Sequence, residues 1–156
     1  MADTRTQSHG HALRRGRFSE SGTAYLITTV TFQREPWFQN FYYARSVINA
    51  MRHQDRNGAC ETLAWVLMPD HLHWLFVLQN GDLSSLIGRF KQHGASHINQ
   101  INQQAGRRVW QSGFHDHAIR KEEDVAEIAR YIVANPLRAG LVGHIGEYPH
   151  WDAVWL

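Results

Sequence analysis

Apolar residues recur along this chain in two rhythms, every second position and every third or fourth. Two strand-like runs, 61–68 and 71–78, are split by Pro69-Asp70, which predicts a β-hairpin. In the second run Leu72, Trp74, Phe76 and Leu78 point one way, and His71, His73, Leu75 and Val77 point the other. A continuous apolar face marks a central, buried strand. Residues 25–32 are rich in β-branched and aromatic types and predict a first strand; 33–39, with Pro36, predict a loop. The helical rhythm appears at Phe41, Ala44, Val47, Ile48 and Met51, so a helix is expected over 41–56, ended by Asn57-Gly58. Asp82 is placed to cap a second helix over 83–101. After a connector at 109–113, a short strand is expected at 114–120. Glu122, Glu123 and Asp124 then put three acids at a helix start, where the macrodipole favours them. That helix runs through Val125, Ile128, Ala129 and Ile132 to Asn135, and Pro136 is expected to stop it.

The order is therefore β-α-β-β-α-β followed by one more helix. This predicts an α+β fold with a ferredoxin-like antiparallel sheet. Two helices should cover the face carrying Leu72, Trp74, Phe76 and Leu78. His71 and His73 should look to the other side, where the last helix can lie. With 156 residues, one domain is expected over 19–142. Residues 1–18, rich in Arg, His and Gly, read as a flexible basic arm, and 143–156 as a tail of the same domain.

Composition narrows the class. The chain is 43% hydrophobic and 12% aromatic, as a folded protein should be. No apolar run approaches the roughly 20 residues of a membrane span, and no signal peptide is evident. Cys60 is the sole cysteine, which excludes an internal disulfide and a cysteine-based zinc site, and suits a reducing cytoplasm. Net charge is only +2, but between Leu83 and Lys121 six cations stand against the single acid Asp116. Arg14, Arg15 and Arg17 form a second cluster. A polyanionic partner fits this distribution, and so does an ordinary solvated surface.

Two imidazoles side by side on a strand face need a reason. Either they are half-buried polar residues bonded to neighbours, or they are a two-histidine metal site, and spacing alone does not decide. His93 and His97 repeat a ligand spacing at i, i+4 on the second helix, but no third ligand stands near in sequence. His115 and His117 repeat the H-x-H spacing around a charged Asp116, on an expected edge strand. Trp37, Phe38, Trp110 and Phe114 could stack unpaired bases, with core packing as the plainer role. On the last helix Glu127, Tyr131 and Asn135 form a polar stripe at i, i+4, i+8.

Three segments, in this order, resemble a known family. His71-Leu72-His73, preceded by Met68-Pro69-Asp70, is similar to the histidine-hydrophobe-histidine motif of the HUH single-tyrosine transposases, most closely their REP-associated tyrosine transposase branch. The run from Trp110 to Arg120 resembles that family's segment before its last helix, and Arg130 to Val142 resembles its tyrosine helix and exit. The resemblance covers nearly all of the chain from Tyr25 to Val142. It implies cleavage and joining of single-stranded DNA at the foot of a hairpin. Tyr131 would be the nucleophile that keeps the 5′ phosphate. His71, His73 and Asn135 would hold Mg²⁺ or Mn²⁺, although relatives often carry Gln at the third position. Arg14, Arg15, Arg17, Arg89, Lys91, Arg107, Arg108 and Arg120 are the candidates for backbone phosphate contacts. A bacterial, cytoplasmic, nucleoid-associated protein is expected, with no membrane partner; a monomer is expected, with a dimer as the alternative. Two other readings remain open at this point. One is a non-catalytic module for single-stranded DNA or RNA. The other is a metal-dependent phosphodiesterase that uses water instead of tyrosine.

Overall fold

The computed structural model describes residues 19–121 and 123–155. The expected basic arm, with Arg14, Arg15 and Arg17, lies outside the described residues. Five strands make one antiparallel sheet: β1 (Ala24–Val30), β2 (Cys60–Met68), β3 (His71–Leu78), β4 (His115–Ala118) and β5 (Trp151–Ala153), in the order β4-β1-β3-β2-β5. The first four strands have the expected ferredoxin-like order. Helices α1 (Phe41–Arg56), α2 (Leu83–Asn102), α3 (Val125–Val133) and α4 (Asn135–Arg138) complete the fold.

Local sequence explains the helix starts. The Asn40 side chain accepts from the backbone N–H of Tyr42 at 2.9 Å and of Tyr43 at 3.3 Å. Asp82 caps α2 through Ser85 N at 2.9 Å, as its position predicted, and Asp124 caps α3 through Ala126 N and Glu127 N. The β2–β3 hairpin turns on Pro69-Asp70 alone, pairing Met68 with His71.

The two faces of β3 separate as the alternation predicts. Leu72, Trp74, Phe76 and Leu78 are fully buried in a cluster with Val47, Ile48 and Met51 of α1 and Leu86, Ile87 and Phe90 of α2. Gly94 of α2 faces Val47 of α1, where a Cβ would sit 3.6 Å from Val47 Cγ2, an ordinary packing contact. The opposite face has its own smaller core, in which Ala64, Val66, Met68 and Leu75 pack against Ala129, Ile132 and Val133 of α3. So α3 lies over the side that His71 and His73 share.

Three expectations are corrected. The strand expected over 114–120 is only His115–Ala118, because Gly113 before it adopts φ 81°, a turn conformation. The segment expected as a tail contains β5, which pairs with β2 from Val66↔Trp151 to Ala64↔Ala153. The Tyr148 hydroxyl donates to Leu67 O and fastens that segment further. Pro136 does not stop the last helix. Helix α3 ends at Val133, and Pro136 sits in the first turn of α4, where its missing N–H costs nothing.

Candidate active site

His71 and His73 stand one above the other on β3, with ring centroids 5.0 Å apart and planes at 82°. Each ring uses Nδ1 for a hydrogen bond. His71 Nδ1 lies 2.7 Å from Asp70 Oδ1. A carboxylate only accepts, so this nitrogen carries the hydrogen, and in the neutral ring Nε2 then keeps its lone pair. His73 Nδ1 lies 2.9 Å from Thr28 Oγ1, the residue directly opposite it on β1. With His73 Nδ1 as the donor, Nε2 is free there too. Burial first, then the neighbouring His71 and the positive charge of Arg138, push the His73 imidazole down from 6.5 to about 4. At neutral pH it is therefore an uncharged ring, the form that binds metals.

Helix α3 supplies the rest. Its apolar stripe of Ala129, Ile132 and Val133 faces the sheet, which turns Tyr131 outward with 66% of its surface exposed. The Arg138 guanidinium carbon sits 3.9 Å from the centre of the Tyr131 ring. The same cation is close enough to His73 to depress its pKa, so one arginine links the tyrosine to the histidine pair. Asn135 is half-buried, and its Nδ2 donates to Ile132 O at 2.9 Å. That bond closes the end of α3 and fixes the amide; the oxygen, which is the atom a hard cation takes, is not the one engaged in it.

Among the described residues no group of three or more His, Cys, Asp or Glu side chains is arranged to hold a metal. Two imidazoles and an amide oxygen are nonetheless donor types that suit a divalent ion of intermediate hardness. The Asp70–His71 and Thr28–His73 bonds are the outer-shell supports that ligating histidines normally have. The residues present fit such an ion.

The other candidates fall elsewhere. His93 does meet a third ring: it lies 4.7 Å from His97 and 4.9 Å from His53, centroid to centroid, on the outer side of α1 and α2. His117 is paired with Glu123 at 3.0 Å. Through the register Leu26↔His117 and Thr28↔His115, both histidines of β4 look to the same side of the sheet as His71 and His73. Trp37, Phe38 and Trp110 are buried, so they pack the core instead of offering faces to bases.

The cations divide. Arg89 is exposed on α2, across the sheet from the histidines. Lys91 reaches back to the connector, donating to Gln111 O at 2.9 Å and to Gly113 O. Arg107 pairs with Glu35 at 3.0 Å and lies over Trp37; Arg108 bonds Ser112 and lies over Phe32. Their connector runs beside the sheet end where β3 begins, since Gln111 N bonds Val30 O and Thr31 N bonds Asp70 O. Arg120 is exposed beyond β4. Sequence reading gave no site role to Thr28, Asp70 or Arg138. Asp70 had a usable signal, standing directly before the H-x-H; Thr28, 45 residues from its partner, had none.

A strand-borne histidine pair thus shares one sheet face with a packed, tyrosine-bearing helix. The chain belongs to the family described as Transposase IS200 like, whose model matches residues 19–135. A relative from Escherichia coli (strain K12), the REP-associated tyrosine transposase, is 30% identical over 95 residues, 60% of this chain and 54% of its own length. One from Haemophilus influenzae, given the same name provisionally, is 29% identical over 100 residues, 58% of this chain and 57% of its own. The chain thus spans about half the length of these curated relatives. A solved structure of a REP-associated tyrosine transposase bound to a REP hairpin superposes with TM-score 0.71 at 26% identity, over 86% of this chain and 79% of that one.

Proposed function

We propose that this protein cleaves and rejoins single-stranded DNA at hairpin, REP-like sequences, through a 5′-phosphotyrosine on Tyr131. The observation that carries the reading is the pairing of two elements on one sheet face. His71 and His73 each engage Nδ1 in a hydrogen bond on that face, and Tyr131 is exposed on the helix packed over it. A relative named as REP-associated, and a solved relative bound to a REP hairpin, support the substrate class.

His71, His73 and the Asn135 oxygen would hold Mn²⁺ or Mg²⁺. A divalent ion bound there supplies polarisation of the phosphoryl oxygens, which offsets the weakness of a neutral phenol as a nucleophile. The remaining work falls to the chain. Asp70 and Thr28 fix the tautomers and ring planes of the histidines. Tyr131 Oη forms a bond to phosphorus while the bond to the 3′ oxygen breaks, leaving a free 3′-OH. The phenolic proton leaves to solvent and the 3′ oxygen takes one up. Because the ester is conserved, joining is the same step reversed with another 3′-OH, without an energy source. His73 itself stays uncharged well below neutrality.

The test is direct. Hairpin-bearing single strands labelled on the 3′ side of the break are incubated with the protein and Mn²⁺. Label should stay on the protein through denaturation, and Tyr131→Phe should abolish the adduct while still binding the hairpin. Hairpin binding without any adduct from the native chain would leave only a binding module. Cleavage that survives Tyr131→Phe would mean that water is the nucleophile.

A further inference from the structure

We propose that Arg138 is a further catalytic residue, one that grips the scissile phosphate with the edge of its guanidinium while its face holds the Tyr131 ring in place. This rests on the nicking reading above and names a participant that reading does not require.

Arg138 is placed by the helix break. It follows Tyr131 by seven residues, two turns of a helical path that continues from α3 into α4. Side chains on helices lean toward the N-terminus, so a long residue two turns on reaches back to the earlier one. The result is the 3.9 Å stack on the Tyr131 ring, well inside the roughly 6 Å range of a cation–π contact. Pro136 is buried and anchors the short helix, and Arg138 N bonds Ala134 O at 3.1 Å. The guanidinium therefore hangs from a fixed support.

What the stack leaves open matters more. A guanidinium that stacks uses its π face; its N–H donors lie in the plane and point outward at the rim. Arg34 and Arg107 each have a carboxylate, on Asp70 and Glu35. Among the described residues Arg138 has no acidic partner. It sits against Tyr131, on the helix packed over the sheet face that His71 and His73 share. A phosphodiester reacting with Tyr131 beside His71 and His73 would meet that open edge, whose fork geometry matches two phosphate oxygens. As the Oη–P bond forms and the P–O3′ bond breaks, negative charge grows on those oxygens. A preset cation stabilises that charge more than it stabilises the bound substrate.

The experiment measures single-turnover adduct formation on the labelled hairpin strand with Mn²⁺, for native protein, Arg138→Lys, Arg138→Gln and Arg138→Ala. Removing a preset donor of this kind typically lowers the rate by about 10²–10³-fold, and that loss is expected for Gln and Ala. Hairpin affinity should change only a few-fold, since most phosphate contacts lie elsewhere. Lys should retain more activity than Gln. Low-millimolar guanidinium should restore part of the Ala variant's rate and none of the rate of Tyr131→Phe. Native-like adduct formation by Arg138→Gln overturns the proposal. So does a loss that neither Lys nor added guanidinium relieves, for that is the behaviour of a structural pin. If the native protein itself forms no adduct, the nicking reading fails first, and the two failures are told apart by that single control.

Discussion

Replacing Asp70 by Asn tests the histidine pair without touching either ring. The carboxylate accepts from His71 Nδ1 at 2.7 Å and can do nothing else, so His71 is held with Nε2 unprotonated. An amide is nearly the same shape, but its NH₂ can donate. In Asp70→Asn the imidazole can flip to the tautomer with a hydrogen on Nε2, which cannot bind a cation. Loss of an outer-shell partner of this kind typically weakens metal affinity about 10–100-fold, equivalent to about 1.4–2.7 kcal/mol. Little of that loss comes from Arg34, the other partner of Asp70: that contact is 3.5 Å long with the arginine side chain 63% exposed, and such surface pairs contribute about 0–1 kcal/mol. Mn²⁺ affinity, read by calorimetry or by the loss of the free-ion paramagnetic signal, should therefore fall by one to two orders of magnitude in Asp70→Asn. It should stay near the native value in Arg34→Ala. Adduct formation should follow the metal, with saturating Mn²⁺ restoring most of the rate. Native Mn²⁺ affinity in Asp70→Asn, alongside its loss in His71→Ala, would refute the argument that Asp70 sets the tautomer.

Two further outcomes follow from the same geometry. His73 titrates near 4 in the folded chain and near 6.5 once unfolded, so falling pH protonates the unfolded state first and stability is lost across that window; the total is at most about 3 kcal/mol. In the metal-free protein, urea midpoints at pH 7.5 and 4.5 should therefore differ more for the native chain than for His73→Gln, and an equal difference in both would contradict the assignment. Hairpin binding should weaken steeply with salt. Arg107→Ala together with Arg108→Ala, on the connector beside the start of β3, should flatten that dependence by up to about two units of slope, whereas Arg89→Ala, across the sheet, should not. Equal effects from both substitutions would mean that DNA wraps the helical layer as well.

How much of this was legible in the sequence depends on how local each cause is. The period-two alternation of β3 is a property of eight consecutive residues, and it correctly assigned Trp74 to one core and His73 to the other face. Helix caps at Asp82 and Asp124 act over two or three residues and were equally readable. By contrast, β5 has three residues and exists only because β2 offers an edge for it to pair with, so no run of apolar positions announces it. Charge was legible only as composition. Arg107, Arg108 and Lys91 look like a phosphate patch in composition, yet their partners Glu35, Ser112 and the connector carbonyls are set by tertiary contacts.

The site itself is assembled from both kinds of information, and this explains why the motif was visible while its supports were not. An H-x-H on a strand guarantees only that two rings share a face. Which atoms they present is decided across the sheet, where the β1–β3 register sets Thr28 opposite His73, and at the turn, where Pro69-Asp70 puts a carboxylate beside His71. Which side chain faces them is decided by packing. Ala129, Ile132 and Val133 are the residues of α3 that fit Ala64, Val66, Met68 and Leu75, and once they are buried Tyr131 has only the outward direction left. The helical path runs on through Ala134 into a second short helix, so that Arg138, two turns on, reaches back over the tyrosine. Tyr131, Arg138 and the histidine pair thus share one side of the sheet because a small apolar contact fixes one helix there. Whatever loosens that contact should slow the chemistry before it unfolds the protein.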